Sequence, residues 1–327
     1  MGGANRSSEA SETGHGSGYR FPFSPYPNGW FRAAYVDEIG KGEVKPLSIL
    51  GRELVLFRDQ AGEAHILDAF CPHLGAHLGH GGRVEGKGIV CPFHAWQWGG
   101  DGSCLAIPYA KRIPPGARIG SWPVVERNGV IFLWHHAGGA VPGFEVPALT
   151  EYDDPAWTPF SRRHWRVRSH WLDMNENAVD QAHFVYVHGT HTQPQTEAAI
   201  DGHVLRCRSR MTLGTPRGQI EGGIDTDDHG PGFQVVHVHG AVECVMMNTA
   251  TPIDDTYTDV SFAYSVDTSG GAAVAEGVGA AIIRDLEKQM EQDIVIWEHK
   301  AYRERPVLCD GDGQFSIYRK WFEQFFD

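Results

Sequence analysis

The sequence predicts an α+β protein, with an all-β unit first and then a unit whose antiparallel sheet is flanked by helices. Three observations carry this. Between Gly29 and Trp134, short apolar runs alternate with glycine-bearing turns. Further strand-like segments follow after residue 200, with a helix candidate ahead of them. A long helical pattern, Gly279 to Arg303, then follows. A length of 327 residues agrees with about two domains at about 150 residues each.

Residues 1–17 (MGGANRSSEASETGHGS) are rich in Gly, Ser, Glu and Ala and predict a disordered tail. Residues 18–140 form the first unit. Its strand candidates are Leu54–Phe57, His65–Ala69, Gly88–Cys91 and Val130–Trp134, and RDQAGE and ERNG supply hairpin turns. The Gly- and Pro-bearing stretch 135–160 has no clear period and reads as a connection, with the second unit counted as 141–327. That unit opens with a helix candidate, Leu172–Val187. Strand candidates follow at Val204–Leu213, Phe233–Val238, Ala241–Thr249 and Asp259–Val266, and then the long helix.

A net charge of −13 argues against nucleic-acid or anionic-membrane partners, which attract basic patches. Residues 1–17 hold no apolar stretch of the secretory kind. The longest small-and-apolar run, Ala272 to Ile283, contains Glu276 and falls short of the ~20 residues a membrane span needs. The expectation is a cytoplasmic protein with no membrane span. Six cysteines are too few for a disulfide scaffold.

Two of them have another use. Cys71 and His73 stand as C-P-H, and seventeen residues later Cys91 and His94 stand as C-P-F-H. Zinc fingers usually pair two cysteines on one arm and two histidines on the other. One thiolate and one imidazole on each arm suit a two-iron cluster in which the sulfurs bind one iron and the nitrogens the other. Neutral imidazoles in place of thiolates raise the reduction potential. The bland alternative is a structural zinc site or satisfied histidines. This C-x-H-x17-C-x2-H spacing resembles the Rieske [2Fe–2S] motif. Pro108 is a candidate for a third loop over the cluster. Cys104, Cys207, Cys244 and Cys309 read as buried small apolar residues.

Asp180, His183 and His188 form a second constellation in NENAVDQAHFVYVHG. On a helix, Asp180 and His183 share a face, but His183 and His188 splay apart by about 140°. Both reach one metal only if the helix ends between them, and Gly189 suits such a stop. Two histidines and a carboxylate make the facial triad of a non-haem Fe(II) oxygenase. Spacing alone leaves Asp285, Glu287, Glu291, Asp293 and Glu298 as candidates for the carboxylate.

The D-x2-H-x4-H pattern resembles the mononuclear-iron motif of Rieske oxygenases. That resemblance favours Asp293, in EQDIVIW, as the third ligand. It implies that Asp180 bridges a cluster histidine of a neighbouring subunit, His73 or His94, to His183. PYPNGWF, CPFHAWQWGGDGSC, SWPVVERNGVIFLWHH, QDIVIW and RKWFEQFF are most similar to the oxygenase component of 3-ketosteroid 9α-hydroxylase and its relatives. The resemblance covers nearly the whole chain after the tail. It implies a Rieske domain followed by a helix-grip catalytic domain, and a homotrimer. It implies O2 as cosubstrate and a separate flavin- and iron–sulfur-containing ferredoxin reductase that passes on electrons from NADH. The chain lacks a G-x-G-x-x-G after a strand for binding NADH itself.

The implied reaction is hydroxylation of a hydrophobic polycyclic substrate, a 3-ketosteroid by preference. Sterol desaturase or demethylase chemistry and aromatic-ring hydroxylation are alternatives within the family. A non-catalytic electron carrier and a lipid-binding module are alternatives outside it. Pocket lining is expected from Val204–Met211, Phe233–His239, Val245–Met247 and Phe262–Tyr264, with His237 or His239 facing the pocket.

Overall fold

The computed structural model describes residues 20–215 and 218–326. The tail expected at 1–17 lies outside them. The first unit is all-β. β1 (Gly29–Tyr35), β11 (Val130–His135) and β10 (Val124–Arg127) form one sheet, and β2 (Val44–Ile49), β3 (Arg52–Arg58), β4 (Ala64–Asp68) and β9 (Ser121–Trp122) a second. β5 (Arg83–Glu85), β6 (Gly88–Val90), β7 (Gln97–Gly99) and β8 (Cys104–Ala106) form a third.

Both expected turns form. In RDQAGE, Asp59 Oδ1 accepts the N–H groups of Ala61, Gly62 and Glu63 at 2.8–2.9 Å, so the side chain folds the hairpin. In ERNG, Asn128 and Gly129 both take positive φ (51° and 72°), as a two-residue hairpin requires. Asn128 also donates to the Pro147 carbonyl and accepts from the Leu149 N–H. The connecting stretch is therefore pinned along the first unit.

The second unit is one seven-stranded antiparallel sheet, ordered β12 (Ser161–Val167), β18 (Thr258–Val266), β17 (Cys244–Pro252), β16 (Phe233–His239), β15 (Gly218–His229), β14 (Val204–Thr215) and β13 (Gln195–Asp201). The strand pleat gives it two working faces. On β17, Val245 and Met247 pack with Trp30 and Phe132 of the first unit. Met246 packs with Val236 and Tyr264 on the opposite face. Polar contacts fix the first unit on its face. Arg32 reaches Thr249 Oγ1 (2.9 Å) and Asp259 Oδ2 (2.8 Å), and Tyr35 meets the Ser261 hydroxyl (2.7 Å).

Helices cover the other face. The helix expected over Leu172–Val187 is broken into α1 (Trp171–Asn175), a 3₁₀ turn and α2 (Ala182–Tyr186). A short α3 (Ala272–Val274) passes through a π-turn into α4 (Ala280–Trp297), which ends six residues before the expected Arg303. RKWFEQFF contributes to an unforeseen helix, α5 (Phe315–Glu323). Tyr318, Trp321, Phe322 and the following Phe325 fall at i, i+3, i+4 and i+7 and bury completely or nearly so against Trp171 and Leu172. β12, β13 and β15 were also not legible. β15 (GQIEGGIDTDDH) is polar and glycine-rich, and it becomes a strand through a continuous twelve-pair ladder with β14. Cys207 and Cys244 are buried as expected. Cys104 is half-buried and Cys309 is exposed, since 309 falls in a surface loop after α4.

Candidate metal centres and cavity

The two Cys/His arms fold as matched loops. Cys71 N–H donates to the Ala76 carbonyl (2.9 Å) and Gly75 N–H returns to Cys71 (2.8 Å). Cys91 N–H donates to Trp96 (2.9 Å) and Ala95 N–H returns to Cys91 (3.1 Å). The same six-residue closure occurs twice, with the residue before the last in the left-handed region each time: Gly75 at φ 77° and Ala95 at φ 58°. Alanine pays a backbone strain there that glycine avoids.

Cys71 and Cys91 are buried, while His73 and His94 are half-buried with ring centres 4.7 Å apart. Burial raises the Cys71 thiol, offset in part by the His73 N–H and the Trp98 indole, and Cys91 raises it further. Trp96 stacks on His73 at 4.6 Å, and its indole N–H donates to Tyr109, next to Pro108 (2.8 Å). The residues fit a two-iron cluster. Two thiols lie inside, two imidazoles lie side by side, and the buried Nδ1 of His94 has no hydrogen-bond partner among the described residues. His77, by contrast, is used locally, accepting the Gly79 N–H.

The second constellation closes because the backbone turns. α2 stops at Tyr186, the Val187 N–H bonds back to His183 (2.7 Å), and Gly189 takes φ 74°. The two imidazoles come within 5.0 Å, centre to centre. Asp293 arrives from α4, and one ligand atom from each of His183, His188 and Asp293 lies within 4.8 Å of the others. The remaining carboxylates are engaged or turned away. Glu287 pairs with Arg163, Asp285 accepts from Gln289, Glu298 accepts the Arg168 N–H, and Glu291 is exposed.

Both imidazoles are oriented from behind. His183 Nδ1 donates to the main-chain carbonyl of Asp180 (2.9 Å), and His188 Nδ1 to Gln292 Oε1 (3.1 Å), so each Nε2 lone pair faces inward. Burial disfavours the charged form of His188, but the hydrogen bond and charge of Asp293, together with Gln292, outweigh it and raise its pKa. The Asp180 carboxylate sits 3.8 Å from His183 Nδ1, and its Oδ1 accepts the N–H groups of Ala182 and His183. Burial raises the Asp180 pKa, but His183 and these N–H groups more than offset it, so the pKa falls. A further trio, Asp59, Glu63 and His65, also has its ligand atoms within 4.8 Å of one another but belongs to the β3–β4 hairpin turn.

A cavity opens over His183, His188 and Asp293. α4 offers Leu286, Gln289, Met290, Asp293 and Trp297, one helical stripe. β16 offers Gln234, Val236 and Val238, β17 offers Met246 and Asn248, and β18 offers Phe262. A smaller adjoining cavity continues past Asn175, Gln234 and Asn248 to Trp171. The expected lining from Phe233–His239 is half right, because alternate residues face the cavity. His237 and His239 point to the other side, where they pair with Glu151 and with Asp225 and Glu243. Met247 turns to the first unit, and none of the described side chains of β14 lines the cavity. Sequence reasoning missed Gln292, although it stands beside Asp293 in the same short string. It also missed Asn175 and Asn248, whose polarity has no motif, and it placed Gln234 only within a lining segment.

Residues 29–123 match the family model for the Rieske [2Fe–2S] domain, and residues 133–326 match that for the 3-ketosteroid 9α-hydroxylase C-terminal domain. A probable 3-ketosteroid-9-alpha-monooxygenase oxygenase component of Rhodococcus rhodochrous is 33% identical over 324 residues, covering 93% of this chain and 81% of that protein. A cholesterol 7-desaturase of Ciona intestinalis is 31% identical, covering 92% of this chain and 69% of its own length. Among solved structures, dicamba monooxygenase bound to dicamba shares the fold, with a TM-score of 0.73 at 20% identity over 91% of this chain and 97% of that one.

Proposed function

This chain belongs to the Rieske non-haem iron oxygenases of the 3-ketosteroid 9α-hydroxylase type, and from that premise we propose that it hydroxylates a steroid at an iron held by His183, His188 and Asp293. The observation that carries the proposal is the two-histidine, one-carboxylate group opening onto a largely apolar cavity. The family's cofactors are a Rieske [2Fe–2S] cluster, which supplies single electrons, and a ferrous ion, which activates dioxygen when bound.

Cys71, Cys91, His73 and His94 would hold the cluster. His183, His188 and Asp293 would supply three protein donors to the iron. Met246, Phe262, Leu286, Met290 and Trp297 would exclude water and pack the fused rings. Asp180 would join His183 to a cluster histidine of a neighbouring copy in a homotrimer. In support, its side chain remains partly exposed while both main-chain hydrogen bonds use Oδ1. Electrons would come from a separate reductase. A cytoplasmic location belongs to the same reading. No helix among the described residues is long and apolar enough to cross a membrane, and all six cysteines are free of disulfides. The cholesterol 7-desaturase relatives favour desaturation of a sterol as the second reading.

Oxygen uptake with a reductase, across steroid ketones, sterols and aromatic acids, tests this, with products read by mass spectrometry. A steroid that gains one oxygen atom is the expected result. Gain of a double bond would favour the second reading, and absence of uptake with every steroid would overturn both.

A further inference from the structure

One polar row crosses a cavity floor that is otherwise apolar apart from Thr226. Asp228, Gln234, Asn248 and Phe262 are direct cross-strand partners on β15, β16, β17 and β18. The next row along the same face is Thr226, Val236, Met246 and Tyr264. Asn175 reaches down from α1 to the polar row. Its Nδ2 donates to Asp228 Oδ1 (2.9 Å). Gln234 Nε2 donates to Asp228 Oδ1 (2.9 Å) and to Asn175 Oδ1 (2.8 Å), and Asn248 Nδ2 donates to Gln234 Oε1 (2.8 Å).

The direction of every bond follows from Asp228. It is fully buried and does not line the cavity, and its Oδ1 accepts from two amide N–H groups. Gln234 must turn its amide nitrogen to Oδ1, which leaves its oxygen facing Asn248. Asn248 must answer with its nitrogen, which turns its own oxygen away. That oxygen is the end of the relay. Asn248 is 8% exposed and lines both cavities, and its Oδ1 is buried with no hydrogen-bond donor among the described residues. Burial raises the Asp228 carboxyl to about 7, yet Oδ1 remains an acceptor whether or not Oδ2 carries the proton.

We propose that Asn248 is a specificity-determining residue whose side-chain oxygen, left without a donor because its amide nitrogen is committed to Gln234, accepts a hydrogen bond from a hydroxyl on the buried end of the substrate. A ketone offers no hydrogen and leaves this acceptor unpaired. A 3-ketosteroid with a hydroxyl at its far end therefore seats that hydroxyl innermost. The steroid identity of the substrate rests on the reading above. The hydroxyl preference rests on the relay alone.

Equilibrium dialysis of the anaerobic holoenzyme against two matched pairs tests both. One pair is two 3-ketosteroids that differ only in a D-ring hydroxyl or ketone, and the other is a decalin alcohol and its decalone. The alcohol is expected to bind at least tenfold tighter in each pair. Asn248→Leu removes the acceptor and Gln234→Leu frees the Asn248 amide to turn, so in both variants the ratio should fall below about threefold. A wild-type ratio near one, or a ketone preference, overturns the proposal while leaving steroid binding intact. A ratio unchanged in Gln234→Leu overturns the orienting relay. If neither steroid binds but the decalin alcohol is preferred, the steroid reading falls and Asn248 keeps its role. If neither pair binds, both fall.

Discussion

Gln292 Oε1 lies 3.1 Å from His188 Nδ1, on the side of the imidazole opposite Asp293, whose Oδ2 is 3.4 Å from Nε2. Two consecutive residues of α4 thus act on one imidazole, one as its support and one as its partner in the trio.

Gln292→Leu removes the support and keeps the side-chain bulk. We expect iron affinity to fall roughly 10–100-fold while the cluster is retained. Iron titration followed alongside cluster absorbance checks this. Asp293→Ala should lose the mononuclear iron altogether with the same cluster spectrum.

Asp180→Asn keeps the hydrogen bonds to the Ala182 and His183 N–H groups but removes the charge. Both metals should remain bound and most turnover should be lost, because the path between centres is cut. Metal analysis with steady-state oxygen uptake reads both quantities, and wild-type turnover would refute the bridging role.

A Cβ on Gly313 would fall 1.6 Å from the Val179 carbonyl oxygen and 3.5 Å from Asp180 Cα. Gly313→Ala must therefore displace the turn that carries Asp180. A loss of about 1–3 kcal/mol in denaturant unfolding is expected, together with reduced iron occupancy.

Burial pushes the His170 imidazole down to about 3 and that of His229 down to about 4. The unfolded chain takes up these protons first, so the stability they confer is lost as pH falls below about 6.5. Asp228 has the opposite sign. Burial raises it to about 7, so its contribution is lost as pH rises from about 4 through 7. Between pH 6 and 4 the two histidines outweigh the one carboxyl, and these groups cost about 1.4 kcal/mol per pH unit on acidification. His170→Asn retains an N-cap for α1, where Nδ1 now accepts the Leu172 N–H. It should flatten this slope, as read by urea midpoints across the range.

The sequence disclosed the chemistry more fully than the architecture. Cys71, His73, Cys91 and His94 stand at short fixed offsets, and so do Asp180, His183 and His188, because local loops must present them. The break between His183 and His188 was legible too, since a straight helix splays them and Gly189 offers an exit. Spacing left Asp293 as one of five candidate carboxylates and the family resemblance favoured it, while the docking of α4 on the sheet is what brings it beside His183 and His188. Polar β15 and the nine-residue α5 carry weak local patterns and form through pairing with β14 and burial against α1. Gln234 and Asn248 looked like ordinary polar residues, because their meaning depends on which strands lie side by side.

β17 serves two masters through its pleat. Val245, Met247 and Thr249 meet the first unit, whereas Met246 and Asn248 meet the cavity. Replacing one of the second group leaves the seat of the first unit unchanged in composition. Inherited variation can therefore retune which molecules enter without disturbing how the electron-carrying half is mounted, and descendants of such a scaffold are free to diversify in diet while preserving their wiring.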